Sequence, residues 1–373
     1  MPSDPTAIFE IAISMVSKIT PGIVRALPDI GLTPSDFFQL DTRDLGTAFG
    51  LPSGTTFERM DRDEALFKAR KEYALMEKHN IRGYFLLNAD YPTRLFQIPD
   101  APVYLYQLGE ADLESEHMMS LVGTRKPTPY GMEFCDRLVQ DLAAYFRDLT
   151  VVSGLAYGID SAAHEAALKA NVPTVAVVAH GLDMIYPAQH RDLARHIIRS
   201  GGAILTEYPF GEKPFRQRFL ERNRIVAGLS DVTVVAESDI KGGAMSTANT
   251  AFSYSRDVMA LPGRTTDQLS SGCNLLIRKE KAHLITCAAD LIETTGWRPL
   301  DIGINPRQRN LFPELEGDAK AVYELLRFSH DPLQIDFIHT QTLISLPRLT
   351  STLSEMEFDG IIIRHPGNRY TIA

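Results

Sequence analysis

Residues 118–179, MMSLVGTRKPTPYGMEFCDRLVQDLAAYFRDLTVVSGLAYGIDSAAHEAALKANVPTVAVVA, decide the fold of this chain. Three apolar runs, at 118–122, 149–153 and 174–179, are each followed by a loop that contains glycine. The stretches between them, 130–146 and 160–170, have the apolar spacing of amphipathic helices. Buried strands that alternate with helices predict a mostly parallel sheet with helices on both faces.

The same alternation continues toward the C-terminus. Further strands are predicted at 202–205, 232–236, 258–261 and 283–285, and further helices at 190–200, 218–229 and 244–255. Ligands of such sheets bind beyond the carboxyl ends of the strands, so the loops in that position are the candidate site. The pattern therefore predicts a Rossmann-like α/β domain.

The flanking regions have other patterns. Residues 1–80 read as a helical domain of SAM or helix–hairpin–helix type around Pro21-Gly22, and a small packing bundle is the alternative. Residues 81–297 hold a connecting extension and the Rossmann-like domain, and the proline-rich segment 298–316 is predicted to be a linker. Residues 317–373 predict a winged helix. Its third helix contains one arginine and three acidic residues. This charge balance favours protein contact or packing over recognition of bases in the DNA major groove.

Composition limits what this chain can bind. The 373 residues carry a formal net charge of −9, so a basic field over the whole surface, as in many duplex-binding proteins, is excluded. The cysteines lack C-x-x-C spacing and no metal site is expected. An amphipathic N-terminal stretch and the lack of an apolar run of 18 residues predict a cytoplasmic protein without a membrane span. A nucleic-acid site must therefore be local.

Basic residues cluster in the segment KPFRQRFLERNR at 213–224. It contains five cations and two aromatic side chains but a single acid. Cations that follow the phosphates and rings that stack on bases suit a single strand. The alternative is a solvated helix start, in which Arg222 or Arg224 pairs with Glu207 or Asp231.

The loops after the predicted strands supply the other candidates. Val122-Gly123-Thr124-Arg125 and Lys241-Gly242-Gly243 combine glycines with a cation, which suits a phosphate. The loop Ser153–Asp160 matches neither G-x-G-x-x-G nor G-x-S-x-G, so no dinucleotide cofactor and no nucleophile are predicted. Asp160 is predicted to cap a helix and His164 to be structural, and no catalytic residue is predicted.

These motifs together resemble the DNA-processing protein A family (DprA, also called Smf). The similar segments follow one another along the chain: YPTRL at 91–95, VGTR at 122–125, SGLAYGID at 153–160, GLDxxYP at 181–187, EYPFG at 207–211, ERNRIVAGLS at 221–230 and PG…SxGxNxLI at 262–277.

The resemblance implies a homodimer that binds single-stranded DNA, protects incoming DNA and loads the RecA recombinase during natural transformation, without enzymatic activity. It implies phosphate contact by Arg125, charge and stacking by Arg216 and Phe219, and passage of the strand past Gly154 and Gly242. The full set of expected DNA-binding residues is Gly123, Arg125, Ser153, Gly154, Arg216, Phe219, Arg222, Asn223, Arg224, Lys241, Gly242 and Gly243.

The chain departs from the family pattern in places. Ala188 follows Tyr186-Pro187 where a basic residue is common, and His190 or Arg191 is the expected substitute. A nucleotide phosphoribohydrolase-like enzyme or a nucleotide sensor remains the alternative class. The enzyme would need a P-G-G-x-G-T loop, and this chain has Pro262-Gly263-Arg264-Thr265-Thr266 instead.

Overall fold

The computed structural model describes residues 5–50, 59–299, 317–327, 329, 332–358, 361–365 and 368–372. The chain forms two compact units, 1–300 and 301–373. The predicted linker 298–316 lies almost entirely outside the described residues. The predicted domain boundaries near residues 80 and 297 stay predictions.

The first unit begins with helices. They are α1 (Pro5–Met15), α2 (Pro21–Ala26), α3 (Pro34–Gln39), α4 (Thr42–Ala48) and α5 (Arg59–His79). Pro21 and Gly22 form the first turn of α2 and not the connection before it, because Thr20 caps the helix and proline is favoured in the first turn. Ile11, Val24 and Phe37 of these helices share one hydrophobic core with Tyr106 of the sheet. This core favours the packing role over a free helical module.

The sheet follows in chain order. Its elements are β1 (Arg82–Phe85), α6 (Thr93–Phe96), β2 (Tyr104–Gly109), β3 (His117–Gly123), α7 (Pro129–Tyr145), β4 (Leu149–Ser153), α8 (Ile159–Lys169), β5 (Thr174–Val177), α9 (Arg191–Arg199), β6 (Ala203–Thr206), α10 (Arg216–Leu229), β7 (Val232–Glu237), α11 (Gly243–Ser253), β8 (Asp257–Ala260), α12 (Ser271–Arg278), β9 (His283–Leu284) and α13 (Ala288–Thr295).

The strand order is β1-β2-β6-β5-β4-β3-β7-β8-β9. The strands from β6 to β9 in this order pair in parallel, whereas β1 and β2 pair antiparallel at one edge. Apolar residues of α10, α11 and α12 pack on one face of the sheet and those of α7, α8 and α13 on the other. The Rossmann-like fold predicted from the sequence is confirmed.

The second unit is a winged helix, as predicted. It contains α14 (Gly317–Arg327), β10 (Leu333–Gln334), α15 (Ile335–Thr342), α16 (Leu346–Phe358), β11 (Ile362–His365) and β12 (Arg369–Ile372), with strand order β10-β12-β11. Val322, Leu349 and Ile362 contribute to its own hydrophobic core. The turn predicted at Pro366-Gly367 lies outside the described residues.

Candidate nucleic-acid interface

The strands β3 and β7 are neighbours, but the chain leaves them in opposite directions. From β3 it continues to β4 on one side, and from β7 to β8 on the other. The connecting loops diverge at this switch point, which is where open α/β sheets bind ligands. A cavity of about 620 Å³ lies there, between the loops after β3 and β7 and the first half of α10, and we call it the strand-edge cavity.

The rim of the strand-edge cavity is positively charged. Arg125 after β3, Arg216 at the start of α10 and Lys241 before α11 all line it, and all three side chains are exposed. None of them forms an ion pair with another described residue. Three uncompensated cations at one opening give a local field that attracts phosphates despite the net charge of −9.

Two aromatic rings form one wall. The guanidinium of Arg125 lies 5.5 Å from the centroid of the Phe219 ring, and the Tyr186 ring centroid lies 5.7 Å from that of Phe219. Phe219 is half-buried and Tyr186 is exposed, so both rings keep free surface on which a base can stack.

His180 holds the loop that carries Tyr186. The backbone N–H of Tyr186 donates to His180 Nε2 at 3.2 Å, and His180 Nδ1 contacts the carbonyl oxygen of Gly181 at 2.9 Å. Burial lowers the pKa of His180, so the ring is neutral, with Nδ1 as the donor and Nε2 as the acceptor. The histidine therefore has a structural role in this loop.

The cations of the 213–224 segment have different environments. Arg218 pairs with Glu212 and lies over the rings of Tyr208 and Phe215, at 4.6 and 4.5 Å from their centroids. Arg224 pairs with Glu207, which is one of the pairings considered from the sequence. Arg94, from the YPTRL segment, is the partner of Asp231. Arg216 is therefore the cation of this segment that is both exposed and at the cavity.

The structure brings most of the predicted DNA-binding residues to the strand-edge cavity. Those that line it are Gly123, Arg125, Arg216, Phe219, Arg222, Asn223, Lys241, Gly242 and Gly243. Ser153, Gly154 and Arg224 do not line it. Ser153 is buried and its hydroxyl donates to the Leu121 carbonyl oxygen at 2.7 Å. A DNA contact by these three residues stays a prediction.

Two of the glycines have internal reasons for lacking a side chain. A Cβ atom on Gly154 would lie 1.7 Å from Nη1 of Arg222, and one on Gly242 would lie 2.3 Å from Oγ of Ser238. Gly243, at the first position of α11, faces open space instead. In this structure Gly154 makes room for Arg222, so its need for glycine does not depend on DNA.

Asp160 does not cap α8, contrary to the prediction. The helix begins at Ile159, and the cap position is Gly158, whose φ of 83° is unfavourable for other residues. Asp160 is buried and lines the floor of the strand-edge cavity near Arg222. His164, one turn later, is fully buried against Thr174 at 2.7 Å, and burial lowers its pKa to about 3, which fits the predicted structural role.

Residues that follow β3 and β8, together with the last residue of β7, form a second cavity of about 710 Å³. Gly263 and Arg264 of the Pro-Gly loop line it together with Glu237 and Thr128. The buried Glu237 carboxylate accepts the backbone N–H of Thr128 at 2.8 Å and its hydroxyl at 2.5 Å. It thus occupies the N-terminus of α7.

Sequence reasoning missed two features of the strand-edge cavity. Tyr186 belongs to a loop that the motif GLDxxYP had marked, but nothing in the sequence indicated that its ring would meet Phe219. Asp160 and Arg222 are far apart in sequence, and their shared position on the floor follows from the packing of α10 over the loop after β4. His190 and Arg191 do not line the cavity, so neither of them supplies there the basic side chain that is missing at Ala188.

Comparisons with known proteins show which family this chain resembles over most of its length. The family model described as DNA recombination-mediator protein A matches residues 83–296, and the DprA winged helix domain matches residues 306–368. Protein Smf from Synechocystis is 35% identical over 332 residues, which is 80% of this chain and 82% of that protein. Among the described residues, no helix has both the length and the apolar surface needed to cross a membrane.

Two solved structures are also similar to this chain. The X-ray structure of DNA processing protein A from Streptococcus pneumoniae has a TM-score of 0.63 and 33% identity, and covers 77% of this chain and 97% of that chain. DNA processing protein A from Helicobacter pylori, whose structure describes a single-stranded DNA binding mode, has a TM-score of 0.51 and 34% identity over 57% of this chain and 95% of that chain. The chain therefore belongs to the DNA recombination-mediator protein A family, also called DprA or Smf.

Proposed function

We propose that this protein binds single-stranded DNA in the strand-edge cavity. The observation that carries the proposal is the convergence of Arg125, Arg216 and Lys241 with the rings of Phe219 and Tyr186 at one opening. Cations can follow the phosphates of a strand while the rings stack on its bases, and duplex DNA does not offer those bases. The single-stranded DNA binding mode described for the Helicobacter pylori relative supports the same ligand.

We further propose that the protein is a cytoplasmic, homodimeric recombination mediator. It protects DNA taken up during natural transformation and loads the RecA recombinase onto it. Membership of the DNA recombination-mediator protein A family supports this role.

The protein acts by binding and not by catalysis. Among the described residues that line the strand-edge cavity, Asp160 is the single acid, and it faces the cation Arg222. General acid–base chemistry uses a group placed to exchange a proton with the substrate. A buried acid that faces a guanidinium is better suited to holding a ligand than to exchanging a proton with it.

The decisive experiment is a gel-shift titration with oligo-dT and with a duplex of the same length, at two salt concentrations. Wild type is expected to bind the single strand more tightly than the duplex. Arg125→Ala is expected to weaken the binding of oligo-dT, because it removes both a phosphate contact and the partner of the Phe219 ring.

Lys126→Ala is the matched control, since Lys126 is an exposed neighbour that does not line the cavity. Equal affinity for single strand and duplex would refute the proposal. So would an Arg125→Ala protein that binds oligo-dT as tightly as Lys126→Ala does.

A further inference from the structure

The floor of the strand-edge cavity contains an arginine without a hydrogen-bond partner. Arg222 is 4% exposed, and its side chain makes no hydrogen bond or ion pair with any other described residue. Its Nε is buried without a partner. An unsatisfied buried donor is costly, so such a group in a cavity indicates a ligand that supplies the missing acceptor.

Asp160 provides the complementary group on the same floor. It is 8% exposed and accepts a long hydrogen bond of 3.4 Å from the backbone N–H of Ala156. The charges of Asp160 and Arg222 influence each other, but the two side chains do not form a direct ion pair. A guanidinium and a carboxylate that face one cavity without closing on each other leave both available to a third group.

The absence of a side chain at Gly154 keeps the guanidinium in this position. Because a Cβ atom there would lie 1.7 Å from Nη1 of Arg222, any larger residue would displace the arginine. The loop after β4 thus leaves room for Arg222 at this position, where it forms no ion pair with another described residue.

The charge distribution separates two kinds of ligand group. The rim has three exposed cations, which suits phosphates, whereas the floor carries one positive and one negative charge. A phosphate offers acceptors alone and would be repelled by Asp160. The edge of a nucleobase offers donors and acceptors side by side, so it matches a floor that combines Arg222 and Asp160.

We propose that the floor binds the Watson–Crick edge of one base of the bound strand, and that guanine is the preferred base. Arg222 donates to the O6 oxygen, and the Asp160 carboxylate accepts from N1–H and from the N2 amino group. Thymine offers a carbonyl oxygen and a single N–H to the same pair. Guanine therefore adds one hydrogen bond to a charged acceptor, which is the stronger kind. The proposal rests on the binding of single-stranded DNA proposed above.

The test measures the affinity of the full-length protein for fluorescent oligo-dT by anisotropy. A second oligonucleotide has one thymidine replaced by deoxyguanosine, and a third has deoxyinosine at that position. Inosine keeps the O6 oxygen and N1–H of guanine but lacks the N2 amino group. We expect the guanosine oligonucleotide to bind about tenfold more tightly than oligo-dT, and the inosine oligonucleotide to bind like oligo-dT.

Asp160→Asn is expected to abolish the preference for guanosine, because the amide presents one acceptor where the carboxylate presents two. Arg216→Ala is the control at the rim and is expected to weaken all three complexes while preserving the ratio. The inosine comparison probes the same contact in wild type, so the test does not depend on the folding of the Asp160 variant.

Equal affinity of wild type for all three oligonucleotides would overturn the base-binding floor and leave the binding of single-stranded DNA intact. A preference that persists in folded Asp160→Asn would also overturn it. Absence of binding to any of the three would instead refute the proposed function.

Discussion

Individual side chains at the strand-edge cavity have separable physical roles. Arg216 is exposed and contributes charge at the rim, whereas Phe219 is half-buried and contributes an aromatic surface between Arg125 and Tyr186. Neutralisation of a phosphate releases counterions and makes affinity depend on salt, while stacking does not. The two residues can therefore be distinguished by how affinity changes with ionic strength.

Arg216→Ala is expected to reduce the slope of log K against log salt concentration for oligo-dT by about 0.7, the value for one phosphate contact on a single strand. Phe219→Ala is expected to weaken binding by roughly 1–3 kcal/mol with an unchanged slope. Titrations at several salt concentrations measure both quantities. A slope for Phe219→Ala that is reduced as much as that of Arg216→Ala would contradict the stacking role of Phe219, and an unchanged slope for Arg216→Ala would contradict its phosphate contact.

Helix α5 fixes the loop that precedes α10. Its Glu72 is 4% exposed, and the carboxylate accepts the backbone N–H of Phe210 at 3.0 and 3.2 Å. The His79 ring, at the end of the same helix, lies 5.7 Å from the ring of Phe210. The N-terminal helices thus support the loop from which the cationic segment begins.

The burial of Glu72 is expected to make the stability of the folded protein depend on pH. Burial, with a smaller contribution from Asp183, raises the pKa of Glu72 from 4.5 to about 7. The folded state therefore binds a proton more strongly than the unfolded state, and this contribution to stability is lost as pH rises from about 4.5 to about 7.

Urea unfolding of wild type and Glu72→Gln at pH 5 and pH 8 measures the effect. We expect the stability of wild type relative to the variant to be more favourable at pH 5 than at pH 8, by on the order of 1 kcal/mol. Glu77→Gln is the control, because Glu77 is exposed on the same helix. A difference between wild type and Glu72→Gln that does not change with pH would contradict the assignment.

At the scale of the whole molecule, the strand-edge cavity belongs entirely to the first compact unit. A protein truncated after Pro299 retains every residue that lines it. We expect this truncated protein to bind oligo-dT with a Kd within about threefold of that of the full chain, a difference of less than 1 kcal/mol. A loss of affinity of tenfold or more in the folded fragment would assign part of the DNA site to the winged helix.

The fold was largely predictable because its signals are local. The buried strands are continuous apolar runs, so β4 matches its predicted bounds and β3 extends the prediction by one residue at each end. The floor of the cavity was not predictable, because the approach of Arg222 to Asp160 depends on how α10 packs over the loop after β4. The role of Gly154 is hidden for the same reason, since the arginine it accommodates lies 68 positions later in the chain.

The carboxylate of Glu237 gives the N-termini of α7 and α11, the two helices beside the switch point, different electrostatic environments. Helix α7 already has an anion of the protein itself at its N-terminus, and Gly131 keeps room for it, since a Cβ atom there would lie 2.6 Å from Oε2. Helix α11 has no acid in its first turn, and its cap residue, Gly242, has no side chain that could cap the helix. The partial positive charge of α11 is thus left for an incoming anion. An anion that binds at the N-terminus of α11 should raise the melting temperature of the first unit. The N-terminus of α7 already holds the carboxylate of Glu237.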